Sequence, residues 1–169
     1  LAEVEDLYRP YKQKRRTRAT IAREKGLAPL AELLFAQGPD CPDPTAEAAR
    51  YVDAEKGVET VEEALAGASD ILAEEISDDA AIRKDLRQLM ARRAVLTSRA
   101  ASPETDSVYR LYYDFSCPAA QLQGHQILAL NRGEKEGFLK LSLDLPGAQG
   151  AALVCRHALK PQKTVSAFV

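Results

Sequence analysis

Phosphate binding is the chemistry that this sequence suggests most directly, because its basic side chains are concentrated in one short segment. Residues 9–25, called here the basic segment, hold eight bases and one acid, Glu24, which gives a local charge of +7 in a chain of net charge −2. Lysine and arginine displace the counterions condensed on a nucleic-acid backbone, so each phosphate contact adds affinity and salt dependence. The sequence therefore predicts contacts with RNA or DNA at five positions: Lys12, Lys14, Arg15, Arg16 and Arg18.

Two tyrosines stand beside these bases. Tyr8 and Tyr11 lie at the start of the basic segment, and aromatic rings in such a setting stack on unpaired bases. Stacking together with phosphate contact is typical of proteins that bind single strands. The sequence alone does not distinguish RNA from DNA.

The alternative interpretation is docking, because negative charge is concentrated just as strongly further along the chain. Residues 40–79, called here the acidic block, hold thirteen acids and two bases, Arg50 and Lys56, a local charge of −11. Complementary fields of this kind orient one protein surface on another. The docking hypothesis, within the protein or between proteins, expects Arg15, Arg16 and Arg18 to be buried against carboxylates. Both hypotheses stay open at this stage.

Catalytic residue types are too scattered to form a site. His125 and His157 have no serine or cysteine nucleophile motif near them, and residues 134–136 between two glycines are most simply a charged turn. The adjacent acid pairs of the acidic block have no metal-ligand spacing, so they predict a solvated helix face. We therefore expect no enzyme, no cofactor and no metal site, and an activity that uses His125 is only a third hypothesis.

Composition limits the cellular setting. Apolar residues make up 46% of the 169 residues, enough for a core, and Cys41, Cys117 and Cys155 are isolated from one another. Such cysteines indicate neither a disulfide framework nor a zinc site, so a reducing cytoplasm is the simplest compartment. No apolar run reaches the roughly 18–20 residues that span a bilayer, and we expect no membrane partner.

The helices around the basic segment can be predicted from the residues that start and end helices. Residues 1–8 read as the tail of a helix with Val4 and Leu7 or Tyr8 on one face, which suggests a segment of a longer protein. Pro10 ends that helix. A helix over 18–25, capped by Thr17 or Thr20, then meets Gly26 and a second helix that starts near Pro29 and ends near residue 36. This is a helix-turn-helix-like pair.

The acidic block predicts further helices. Thr45 is a candidate cap for a short helix that ends near residue 53. The capping box of Thr60 and Glu63 opens a helix with an apolar stripe, and a last helix over 79–93 should bury four side chains. The stripe consists of Val61, Leu65, Ala68, Leu72 and Ile76, and the four side chains are those of Ile82, Leu86, Leu89 and Met90.

Beyond Arg99 the pattern changes to short strands. We predict an aromatic strand over 108–115 paired with 95–100, a helix over 124–131 closed by Gly133, and a strand of alternating leucines over 139–145. Residues 148–169 have no clear period and fit a strand or a poorly ordered tail. The predicted fold class is mainly α, with a helical region over 1–99 and a small α+β portion over 100–169.

Three separated segments carry a family resemblance. The stretches DLYRPYKQKRRTRATIAREKGLAPLAELL, ALAGASDILAEEISDDAAIRKDLRQLM and HQILALNRGEKEGFLKLSL resemble, in this order, the N-terminal region of the bacterial Tex family of transcriptional accessory proteins. The resemblance implies a helical region that precedes an RNase H-like domain without nuclease activity, helix-hairpin-helix units and an S1 domain. Most nucleic-acid affinity is then expected outside this chain, with the transcription machinery as a further partner. What remains for this chain is a scaffold role, with the five basic positions named above as candidate contacts.

Overall fold

The computed structural model describes residues 2–12, 15–38, 43–160 and 168. The chain forms two compact units: unit 1 is Leu1–Lys84 with Leu153–Val169, and unit 2 is Asp85–Ala152. The two units divide within two helices, after Lys84 and after Ala152. The predicted division into a helical region over 1–99 and an α+β portion over 100–169 stays a prediction.

Unit 1 begins with the helices that frame the basic segment. Helix α1 spans Ala2–Tyr8, and a 3-10 turn at Arg9–Tyr11 contains Pro10. Helix α2 spans Arg18–Glu24 and is capped by Thr17, whose hydroxyl accepts a hydrogen bond from the Thr20 amide at 3.1 Å. Helix α3 spans Ala28–Ala36. Gly26 joins the two helices at a φ of +83°, where glycine is strongly favoured. The two predicted helices and the glycine joint between them are therefore present.

Three more helices follow along the chain, and the last of them continues into unit 2. Helix α4 spans Pro44–Ala48 and is capped by Asp43, not by Thr45, because the Asp43 carboxylate accepts from two free backbone amides. The helix is shorter than predicted and is followed by 3-10 turns at Ala49–Tyr51 and Ala54–Lys56. Helix α5 spans Val61–Asp78 and begins at the predicted Thr60 cap. Helix α6 spans Ala80–Arg93.

The core of unit 1 lies between α2, α3 and α5. Leu27, Leu30 and Leu34 are fully buried, together with Ile71 and smaller residues of α5. Helix α5 buries a face that includes Ala64 and Ile71 in addition to part of the predicted stripe. In α6, by contrast, Ile82 is buried, whereas the other three predicted core residues are only half-buried.

Unit 2 contains an antiparallel sheet in the order β2-β1-β3. The strands are β1 Val95–Ala100, β2 Asp114–Pro118 and β3 Leu139–Asp144. Ser98 stands opposite Phe115 on β2 and Leu141 on β3, so these positions share one face of the sheet. The predicted β3 strand is confirmed, as is the pairing of β1 with a following strand.

The prediction of a strand over 108–115 was wrong in its position. Arg110–Tyr112 is a 3-10 turn, and β2 starts only at Asp114. Tyr109 and Tyr112 are three residues apart, a turn spacing that lets both rings pack into the small core of unit 2. The Tyr109 ring contacts Phe138, with ring centroids 5.8 Å apart.

Two helices differ from the predictions for the end of the chain. Helix α7 spans Gly124–Lys135 and continues through Gly133, which is buried where Leu139 leaves no room for a side chain. Residues 148–169 include helix α8, Gln149–Ala158, instead of a strand or an unordered tail. The predictions for residues 161–167 fall outside the residues that the structure describes.

Candidate nucleic-acid interface

The basic segment begins with the 3-10 turn and continues into α2. After the 3-10 turn the backbone becomes extended at Lys12, and it is extended again at Thr17, the cap of α2. Lys12, Arg15, Arg16 and Arg18 are all exposed. Lys14 lies outside the described residues. Four of the five predicted contact residues are therefore on the surface of unit 1.

Two other arginines of the basic segment bind carboxylates of α5. Arg9 Nε lies 3.0 Å from Asp78 Oδ1, and Arg23 Nη1 lies 2.6 Å from Glu74 Oε2. Thr17 also donates its hydroxyl hydrogen to Glu74 Oε1 at 2.9 Å. The hydrogen bond to Glu74 raises the pKa of the Arg23 guanidinium, against the opposing effect of burial. The side chains of Glu74 and Asp78 are only 17% and 12% exposed, whereas those of Arg23 and Arg9 are 38% and 46% exposed, so the carboxylates are mostly enclosed and their partners are not.

Two predicted contact residues make looser ion pairs. Arg16 Nη2 lies 2.7 Å from Glu24 Oε2, with both side chains exposed. Arg18 Nε lies 3.5 Å from Asp70 Oδ1, and the Arg18 side chain is 86% exposed. Lys12 and Arg15 make no ion pair with another described residue. The basic segment thus contains two arginines bound to mostly buried carboxylates, Arg9 and Arg23, and a set of exposed cations. The exposed cations are Lys12, Arg15, Arg16 and Arg18.

The docking hypothesis expected a different set of contacts. Arg15, Arg16 and Arg18 are not buried against carboxylates. Arg9 and Arg23 make the closer ion pairs with the acidic block, and Arg18 makes a longer, exposed one with Asp70. The acids of α5 that pair with the basic segment include Asp70, Glu74 and Asp78, spaced four residues apart on one face of the helix. That spacing was present in the sequence, but adjacent acid pairs had been interpreted as a solvated face.

A groove of mixed charge runs along these pairs. Its volume is about 590 Å³, and Lys12 and Arg23 face Glu74, Glu75 and Asp78 across it. Arg23 Nη2 also lies 3.4 Å from Glu75 Oε1. Because both signs of charge line the groove, it does not by itself favour an anionic ligand.

Helix α1 exposes the face that its sequence pattern would bury. Val4, Leu7 and Tyr8 are all more than half exposed, and Tyr11 is 82% exposed. The buried residue of this helix is Asp6, whose Oδ1 accepts from Arg83 Nε at 2.7 Å. Tyr8 and Tyr11 are therefore accessible beside the cations, as stacking on bases would require.

The residues considered for catalysis belong to other elements, α7 and α8. His125 and His157 are exposed. Glu136 ends α7 and accepts hydrogen bonds from the Tyr109 hydroxyl at 2.8 Å and from Arg132 Nε at 3.2 Å, so residues 134–136 belong to a helix end and not to a free turn. Burial and the bond to Glu136 raise the pKa of Tyr109.

Metal-ligand clusters and membrane-spanning helices are both absent from the described residues. These residues contain no group of three His, Cys, Asp or Glu side chains that could hold a metal ion. Over the same residues, no helix has both the length and the apolar character to cross a membrane.

Comparison with known proteins gives the family. A family model described as Tex central region-like matches residues 40–167. The chain is 44% identical over 167 residues to the uncharacterized protein YdcI of Bacillus subtilis, an alignment that covers 97% of this chain and 23% of YdcI. It is 45% identical over 144 residues to Protein tex of Bordetella pertussis, covering 84% of this chain and 18% of that protein.

A third relative has a functional name. The transcriptional accessory protein Tex of Neisseria gonorrhoeae is 38% identical over 142 residues, covering 83% of this chain and 18% of that protein. This chain thus spans about a fifth of the length of the relatives it matches. The family model covers the second and third segments of the resemblance, and the alignment with YdcI extends over 97% of the chain. The resemblance to the Tex family is confirmed, but the matching model describes a central region and not the N-terminal one. The chain belongs to the Tex family.

Proposed function

We propose that this chain is a non-catalytic, nucleic-acid-associated module of a Tex-like transcription accessory protein. The observation that carries the proposal is the group of exposed cations Lys12, Arg15, Arg16 and Arg18 on one short segment of unit 1. The name of the Neisseria gonorrhoeae relative, transcriptional accessory protein, supports the same setting. In this proposal the accessible cations contact phosphates, and Lys14 is a further candidate.

Arg9 and Arg23, which bind carboxylates of α5, have a different role in the proposal. Arg9 and Arg23 fix the two ends of the basic segment on α5 through Asp78 and Glu74. A contact fixed in advance loses less conformational entropy on binding. The ion pairs of Arg9 and Arg23 therefore support a preorganised surface for the cations between and beside them.

The test is titration of the protein with single-stranded RNA and with duplex DNA at about 50 and about 200 mM NaCl. The variant Lys12→Ala/Arg15→Ala/Arg16→Ala should lose affinity for both and show a flatter salt dependence, by about 0.7–0.9 in the logarithmic slope for each lost phosphate contact. The matched control Arg110→Ala/Lys135→Ala/Lys140→Ala removes the same charge from exposed positions of unit 2. Equal losses in both variants, or no binding by the unmodified protein at low salt, would contradict the proposal.

The second candidate function is docking, in which the segregated charges orient protein surfaces. The ion pairs of Arg9 and Arg23 with the acidic block favour it. The same triple variant separates the two candidates. If Lys12, Arg15 and Arg16 serve docking inside the protein, their removal lowers the free energy of unfolding by more than the ~0.5 kcal/mol typical of surface substitutions. If they serve nucleic-acid binding, stability is unchanged.

A further inference from the structure

The carboxylates around the basic segment fall into two groups that differ in how easily a ligand can displace them. Glu74 and Asp78 are mostly enclosed and bind Arg23 and Arg9. Glu24 and Asp70 are more open, with side chains 53% and 30% exposed, and they bind Arg16 and Arg18. The open group therefore lies on the two arginines that the proposed function assigns to phosphate.

A phosphate and a carboxylate compete for the same donors. The guanidinium group presents a planar fork of N–H groups that matches either anion. Arg16 donates through Nη2 to Glu24 and Arg18 lies with Nε toward Asp70. A phosphate that uses these nitrogens must first release the carboxylate, and the released carboxylate must be solvated or bind a cation.

The two groups differ in the cost of that release. An exposed ion pair contributes little, so Glu24 and Asp70 can return to water with a small loss. Removing the arginine partner from an enclosed carboxylate leaves a poorly solvated charge and costs far more. Phosphate can therefore displace Glu24 and Asp70, whereas Glu74 and Asp78 keep their arginines.

We infer that Glu24 and Asp70 are internal competitors of phosphate that lower the nucleic-acid affinity of the basic segment. This inference rests on the proposed function, because it assumes that Arg16 and Arg18 contact phosphate. The competition weakens binding and reduces its salt dependence, since the freed carboxylates take up cations while the nucleic acid releases them. Binding is then restricted to ligands with enough phosphates to pay this cost.

The experiment removes the competing charges without removing a base. The variant Glu24→Gln/Asp70→Asn should bind single-stranded RNA and duplex DNA between about twofold and thirtyfold more tightly, the combined factor for two exposed ion pairs. Its salt dependence should be steeper than that of the unmodified protein. The control Glu59→Gln/Glu62→Gln removes the same charge from two exposed acids at the start of α5, Glu59 just before the Thr60 cap and Glu62 in the first turn.

The outcomes separate the inference from the proposed function. If the unmodified protein binds and the triple alanine variant does not, but Glu24→Gln/Asp70→Asn binds no more tightly than the control, the competition is absent and the proposed function stands. If the unmodified protein and both acid variants fail to bind at about 50 mM NaCl, both ideas fail. Circular dichroism of each variant verifies that the helices are intact.

Discussion

Gln37 ends α3 in a left-handed conformation, with φ of +47°, and its side chain is buried. Its Nε2 donates to the Ala158 carbonyl at 2.8 Å, and its Oε1 accepts from the Lys160 amide at 2.9 Å. Lys160 in turn donates from Nζ to the Ala36 carbonyl at 2.6 Å. One side chain therefore satisfies two backbone groups at the end of α8.

Replacing Gln37 by leucine should destabilise unit 1. The substitution leaves the Ala158 carbonyl and the Lys160 amide without their partner, at about 1–3 kcal/mol for each group that stays buried. We expect a decrease of about 2–4 kcal/mol in the free energy of unfolding, measured in urea. The control Gln149→Leu changes an exposed glutamine at the start of α8. Equal stability of the two variants would show that the bonds of Gln37 contribute nothing.

Single residues were predictable where their chemistry is local. Thr17 and Thr60 cap α2 and α5 as predicted, because a cap needs only a side-chain oxygen and the free amides that follow it. The exposure of Lys12 and Arg15 also followed from their type. The pairing of Arg9 with Asp78 depends on residues 69 positions apart, and no local pattern contains that information.

At the scale of elements, α2 and α5 approach closely at Gly67. A Cβ at this position would lie 2.3 Å from Leu27 Cδ1 and 3.4 Å from the Ala22 Cβ. Leu27 is only 1% exposed, so its side chain has little room to move. A glycine in the middle of a helix costs about 1 kcal/mol relative to alanine. The close packing of the two helices offsets this cost.

The variant Gly67→Ala should therefore be less stable in spite of its better helix propensity. Overpacking of a core costs about 1–3 kcal/mol, which exceeds the gain in propensity over most of that range. In a Leu27→Ala background the clash is absent, and the same substitution should stabilise by up to about 1 kcal/mol.

The contact between Gly67 and Leu27 is tested by whether the effect of Gly67→Ala on the free energy of unfolding changes sign when Leu27 is replaced by alanine. Urea unfolding of the four proteins in this cycle gives the coupling between positions 27 and 67. Gly124→Ala serves as a control, because nothing lies within 4 Å of the Cβ position there. Additive effects of the two substitutions would contradict the close approach of α2 and α5.

Helices and strands were predictable where the apolar residues of a segment recur with one clear spacing. The alternating leucines identified β3, and the cap with its apolar stripe identified α5. The aromatic residues of 108–115 favoured a strand by composition, but their spacing suits a turn whose rings enter the core. Helix α8 has no start signal in the sequence, because an alanine precedes Gln149 where a capping residue would stand.

At the scale of the whole molecule, charge is segregated and then partly paired. The net charge of −2 conceals a basic segment of +7 and an acidic block of −11. In unit 1 these regions meet through the ion pairs of Arg9, Arg18 and Arg23 with α5. This tertiary pairing decides which cations stay accessible. The sequence therefore predicts the candidate contacts, but it does not show which of the basic residues are paired with carboxylates and which are accessible.

Salt should weaken unit 1 through the same ion pairs. The screening length falls from about 10 Å at 0.1 M to about 3 Å at 1 M ionic strength. We expect the unmodified protein to lose about 0.5–1 kcal/mol more stability over this range of NaCl than the variant Arg23→Gln/Glu74→Gln, which keeps net charge and lacks the pair. Urea midpoints at both salt concentrations measure the difference. Identical salt dependence in the two proteins would mean that the Arg23–Glu74 pair adds no stability.

The division of the chain has a consequence for its synthesis. Unit 1 is discontinuous, because the 68 residues of unit 2, Asp85–Ala152, are translated between its two parts. At about 5–20 residues per second this takes roughly 3–14 s. During that interval the ribosome has not yet made Ala158 and Lys160, the partners of the Gln37 amide. Unit 2 is continuous in sequence, so its sheet can form before the ribosome has made Ala158 and Lys160, which bind Gln37 at the end of α3.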